Sequence, residues 1–118
     1  MAWGAANGDP HEAMYDEDDG HPLTAPVGSF LAGASAHGVL DLAGNVWEWT
    51  ADWYAPYPTE PSTNPKGPAT GTERVARGGN FFGTMPEWSR PAYRWKTNPE
   101  TYSHAIGFRC AKDAPGGK

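Results

Sequence analysis

The sequence predicts one small, loop-rich domain in which short strands surround an aromatic core. Fifteen glycines and twelve prolines among 118 residues mean that much of the chain turns or runs irregularly. Six tryptophans, five tyrosines and four phenylalanines supply enough apolar area to offset the entropy of ordering, which argues against disorder. No stretch holds the period of a long amphipathic helix, whereas Trp47, Trp49 and Trp53 punctuate an apolar run suited to a buried strand. A chain of this length builds a single modest core, so residues 1–118 are read as one domain.

Residues 1–22 read as an acidic loop centred on Asp16-Glu17-Asp18-Asp19-Gly20, and Thr24–Phe30 as a short extended piece broken by Pro26. Residues 31–38 are small and suit a turn. Leu40–Tyr54 holds the main strand, with room for a short helical turn where it begins. Five prolines make residues 55–73 a long surface loop. Glu73–Asn80 is a strand ending at Gly78-Gly79, where the backbone turns sharply or approaches another segment. Residues 81–105 mix strand and loop, and Ala105–Lys112 is the final strand.

Charge is unevenly placed. Residues 1–60 carry ten acids and no Lys or Arg, a formal −10; residues 61–118 carry nine bases and four acids, +5, giving the net −5. The asymmetry points to cation sites in the first half and ion pairing between the halves. Scattered basic residues give nucleic-acid binding no support. Cys110 stands alone, which excludes an intrachain disulfide, and its place in Gly-Phe-Arg-Cys-Ala predicts a buried, inert thiol. No signal peptide, transmembrane run or lipidation motif is visible. The chain is expected to be soluble, cytoplasmic or carried on a virion or other surface, without membrane insertion.

Three separated motifs carry a family likeness: Gly38-Val-Leu-Asp-Leu-Ala-Gly-Asn-Val-Trp-Glu-Trp-Thr-Ala-Asp-Trp-Tyr54, Arg77-Gly-Gly-Asn80 and Ile106-Gly-Phe-Arg-Cys-Ala111. In that order they resemble the formylglycine-generating-enzyme (sulfatase-modifying factor) family. The resemblance implies an α+β, C-type-lectin-like fold with short antiparallel strands. It spans nearly the whole chain but only the latter part of the family's usual domain, whose first strand and helices have no counterpart here. Either the fold is pared down or the chain is a fragment. A fragment could leave a strand edge or core face uncovered, favouring self-association.

Calcium takes hard oxygens from carboxylates and carbonyls on a turning chain. The octapeptide Asp41–Glu48 can supply them. The resemblance implies a structural calcium held by the side chains of Asp41 and Glu48 and the carbonyls of Gly44 and Val46. In the competing reading Asp41 caps a turn and Glu48 pairs with an arginine; the full octapeptide match favours the metal. A second, weaker site would use Asn7, the Gly8 carbonyl, Asp19 and the His21 carbonyl, at a shorter spacing than the enzymes have. A solvated acidic loop competes with it.

Formylglycine generation requires a pair of thiolates on copper. The corresponding region, Asn80–Arg90, places Gly83 and Trp88 about where the family has cysteines, and neither residue binds copper(I). The related sulfoxide synthases take iron from a separate bundle domain. No nucleophile motif is present. A non-catalytic reading is therefore expected, with the fragment of a formylglycine-generating-enzyme-like or sulfoxide-synthase-like enzyme as the alternative.

The same fold branch includes the variable proteins of diversity-generating retroelements, whose mutable segment lies where residues 80–105 lie here. Phe82-Gly83-Thr84 and Thr101-Tyr102-Ser103-His104-Ala105 fit codons produced by adenine mutagenesis; Met85, Glu87, Trp88, Lys96 and Glu100 do not. Rigid aromatics with small polar neighbours suit a binding surface. Candidate ligand-binding residues are thus Phe82, Gly83, Thr84, Glu87, Trp88, Arg90, Tyr93, Trp95, Lys96, Thr97, Thr101, Tyr102, Ser103 and His104. The expected partner is a protein or glycan. Phe82, Trp88, Tyr102 and His104 are expected on the exposed face and Phe81 in the core.

Overall fold

The computed structural model describes residues 20–82, 85–113 and 115–116. Four strands form one sheet: β1 (Trp47–Trp53), β2 (Arg74–Arg77), β3 (Trp95–Thr97) and β4 (Ile106–Gly107), in the order β3-β2-β1-β4. Helix is confined, among the described residues, to 3-10 turns at Leu31–Gly33 and Pro86–Ser89. No helix among them is long and apolar enough to cross a membrane.

β1 and β2 pair antiparallel, with Glu48 opposite Arg77, Trp49 opposite Ala76 and Trp53 opposite Arg74. Between the last two pairs, Thr50-Ala51-Asp52 faces the single residue Val75, so β1 bulges. The Thr50 hydroxyl fastens the bulge. Its Oγ1 donates to the Val75 carbonyl at 3.1 Å and accepts the Asp52 N–H at 3.3 Å. β3 pairs antiparallel with β2. β1, β2 and β3 are thus the short antiparallel strands expected, while β4 runs parallel to β1, with Trp47 opposite Ile106, and makes the sheet mixed. The long excursion through β2, β3 and the loop after it brings the chain back to the far edge of β1 in the same direction.

Val75 and Ala76 are fully buried, and Trp47 is 4% exposed. Trp47 anchors the aromatic core, with ring centroids of Trp95, Trp88 and Tyr93 at 5.2, 5.8 and 6.0 Å. The long loop 55–73 is held against the sheet by cations over rings. Arg94 lies 3.6 Å from the Tyr57 ring centroid and 5.0 Å from that of Tyr54, and donates from Nη2 to the Ala55 carbonyl at 2.7 Å. Arg74 lies 3.6 Å over Trp53.

Two element expectations shift. β1 begins at Trp47 rather than near Leu40, because Asp41, Gly44 and Asn45 adopt φ values of 55°, 82° and 62°, which no strand accommodates. The final strand stops at Gly107, and Phe108 and Cys110 beyond it are exposed. The Cys110 thiol is therefore a surface group, not a buried one, because the pairing that would have covered it ends three residues earlier.

Candidate ligand-binding face

Residues 80–105 divide into an inner and an outer set. The inner set is Trp88, from the 3-10 turn, with Tyr93, from the approach to β3, and Trp95, its first residue. Together with Trp47, Asn80 and Ser103 they border a cavity of about 260 Å³. Two of its polar atoms are engaged within the chain: Asn80 Oδ1 accepts the Phe82 N–H at 3.1 Å, and Ser103 Oγ accepts the Ala105 N–H at 3.1 Å. An apolar guest loses nothing there. Trp88 is half-buried, so it belongs to this wall rather than to the fully exposed face expected for it.

The outer set is Phe82, Tyr102 and His104. Tyr102 is 94% exposed and Phe82 52%. Phe82 stacks on Phe81 at 4.2 Å between centroids, and the His104 ring sits 5.3 Å from Phe82 and 5.8 Å from Phe81. Phe81 is half-buried beneath this cluster, supporting it, rather than in the core. Gly83 and Thr84 lie outside the described residues.

Other predicted residues serve the frame. Lys96 pairs with Glu73 at 3.3 Å and lies 5.1 Å from the Tyr54 ring centroid. The Thr97 and Thr101 hydroxyls bond each other at 3.0 Å across the turn at Asn98, whose Oδ1 accepts the Glu100 N–H at 2.8 Å. Glu87 is half-buried and Arg90 exposed; each offers its backbone to the 3-10 turn, where the Arg90 N–H bonds the Glu87 carbonyl at 3.1 Å.

Asp41, Val46 and Glu48 do border a common cavity, of about 280 Å³. Both Glu48 oxygens, Asp41 Oδ2 and the Asp41 carbonyl accept from protein donors. Both Glu48 oxygens face Arg109: Oε2 accepts from Nε at 2.6 Å, and Oε1 accepts from Nη2. Arg109 also donates to the carbonyls of Leu40 at 2.8 Å and Asp41 at 2.7 Å. Asp41 Oδ2 accepts the Gly28 N–H at 2.7 Å. The hydrogen bond to Glu48 raises the Arg109 pKa above its ordinary value, helped by the Glu48 and Asp41 charges and opposed by partial burial. As these groups are placed, calcium would have to take Glu48 from the guanidinium. No group of three His, Cys, Asp or Glu suited to a metal occurs among the described residues. Asn7, Gly8 and Asp19 of the second predicted site lie outside them, and His21 alone is described.

Residues 2–114 match the family described as the sulfatase-modifying factor enzyme 1-like domain. The chain belongs to that family. A formylglycine-generating enzyme of Streptomyces coelicolor is 44% identical over 109 residues, covering 89% of this chain and 33% of the enzyme. Treponema denticola variable protein 1 superposes with a TM-score of 0.72 at 28% identity, over 91% of this chain and 39% of that one. PvdO from Pseudomonas aeruginosa gives 0.63 at 33% identity, over 80% and 36%. The chain thus spans a third or less of the length of the curated formylglycine-generating enzymes it matches. The fold is of the C-type-lectin-like class that the three motifs imply.

In this member of the sulfatase-modifying factor family, the first and third motifs meet through Glu48 and Arg109. The second closes against the first, where the Gly44 N–H bonds the Gly78 carbonyl at 2.7 Å and the Phe81 N–H bonds the Asn45 carbonyl at 2.9 Å. Sequence reading passed over Asn45, whose side-chain amide pairs with both backbone groups of Ala25 at 3.1 and 3.2 Å. The Gly44-Asn45 step was its available signal, since Asn tolerates positive φ and bonds backbone locally.

Proposed function

We propose that this domain is a non-catalytic binding module that takes a protein or glycan ligand on the surface formed by residues 81–105. The observation that carries the reading is the division of that segment. Its inner aromatics pack on Trp47, while Tyr102 stands almost fully exposed and Phe82, stacked on Phe81, still leaves half its area to solvent. Large exposed aromatics held on a fixed frame are the chemistry of binding anchors. The likeness to Treponema denticola variable protein 1 supports a diversified receptor within this reading. The single cysteine supports the absence of formylglycine chemistry, since one thiol cannot supply a pair.

A second reading is favoured by the names of the relatives and the share of them covered: the chain is part of a formylglycine-generating-enzyme-like protein whose reacting groups lie elsewhere. Sequencing the locus across its source population separates the two. Variation concentrated in codons 80–105, with Asp41–Glu48 constant, is the expected result. A uniform segment joined to an upstream frame encoding a metal-binding or kinase domain would sink the receptor reading.

A further inference from the structure

A second cavity shares no bordering residue with the aromatic one and is larger, about 650 Å³. Leu42, Trp49 and Pro91 give it apolar walls, and Arg77, Arg90 and Arg109 bring three guanidinium groups to it. Among its described bordering residues the one acid is Glu48, and Glu48 is spent on Arg109. Arg77 is held by neutral acceptors only: the Pro91 carbonyl, the Tyr93 carbonyl at 3.4 Å and the Tyr57 hydroxyl at 3.5 Å. Its position is fixed but its charge is not cancelled. The Arg90 side chain is exposed and makes no hydrogen bond or ion pair among the described residues. Among the described bordering residues, three positive charges against one negative leave +2, in a chain whose net charge is −5.

We propose that this cavity binds a small organic anion, a carboxylate or sulfonate carried on an aromatic or branched apolar body. A bare inorganic anion would leave the Trp49–Pro91 wall wet, and a neutral hydrocarbon would desolvate two uncompensated guanidinium groups at a cost. An apolar body with an acidic head satisfies both. Guanidinium groups bind planar oxyanions through paired N–H donors, and Arg77 meets the ligand already ordered. The volume suits a ligand of one or two rings.

The test is calorimetric titration of the intact chain with naphthalene-2-carboxylate, alongside naphthalene-2-methanol and inorganic sulfate. The carboxylate is expected to bind, weakening as salt rises, with the alcohol and sulfate each at least about tenfold weaker, the size of one lost charge-assisted contact. Arg90→Glu should weaken the carboxylate about tenfold without moving the melting temperature, because its exposed side chain makes no hydrogen bond or ion pair among the described residues. Tyr102→Ala, in the outer aromatic set and not bordering this cavity, should leave this affinity unchanged. Equal affinity for the alcohol, indifference to Arg90→Glu, or no binding up to several millimolar carboxylate would each overturn the proposal.

Discussion

Arg109 binds four oxygens drawn from three places in the chain: both oxygens of Glu48 and the carbonyls of Leu40 and Asp41. It does what a bound cation would do, gathering acceptors that otherwise repel one another. Because its folded pKa is raised, the contribution is fully present below the ordinary arginine range and is lost only as pH climbs past the raised value. Loss of the guanidinium proton therefore does not break the pair at any pH near neutrality. Arg109→Leu should lower stability by about 1–2 kcal/mol, below the cost of breaking a buried pair because both side chains keep partial solvent access. It should also free Glu48 and two carbonyls. Added calcium is therefore expected to leave the melting temperature of the chelator-stripped parent unmoved and to raise that of Arg109→Leu. A rise of several degrees in the parent would show that Glu48 leaves the guanidinium for the ion.

At the level of elements, β1 is where the sheet carries most of its irregularity, and one hydroxyl manages it. Three residues of β1 facing one of β2 leave backbone groups that the ladder cannot satisfy. Thr50 Oγ1 takes up one carbonyl and one N–H of that bulge. Thr50→Val keeps the shape and β propensity while removing both bonds. It should cost about 1–2 kcal/mol, read as a lower urea midpoint at unchanged slope. Alternating apolar residues made β1 legible in the sequence, but not where it starts or where it bulges. The start depends on left-handed backbone at Asp41, Gly44 and Asn45, and Asn45 is fixed by Ala25, twenty residues away. The bulge depends on a partner strand whose register no pattern within β1 encodes. β4 was overextended for a related reason: Phe108 to Ala111 look apolar enough for a strand, yet no neighbouring strand pairs with them.

At the scale of the molecule, the described residues of the two oppositely charged halves meet less through ion pairs than through rings. Among the described residues only Arg109–Glu48 joins an acid of the first half to a base of the second, since Lys96–Glu73 lies within the second half. Arg74, Arg94 and Lys96 instead face Trp53, Tyr54 and Tyr57 of the first. Charge composition predicted attraction between the halves but could not show that aromatics would receive it. The same economy of aromatics governs residues 80–105, which must build the core and present a surface at once. Trp88 sits in the inner wall against Trp47, and Tyr102 meets solvent on nearly all its area. With that division, stability and binding separate cleanly. Trp88→Ala should cost about 2–4 kcal/mol, as a half-buried aromatic lost from a core contact. Tyr102→Ala should stay within about 0.5 kcal/mol of the parent in unfolding experiments. Against any ligand captured by the parent, Tyr102→Ala and Phe82→Ala should each weaken binding by about 1–2 kcal/mol with native spectra intact. Tyr102→Ala lowering the melting temperature as far as Trp88→Ala would mean that the outer ring is part of the core, leaving the exposed face without its anchors.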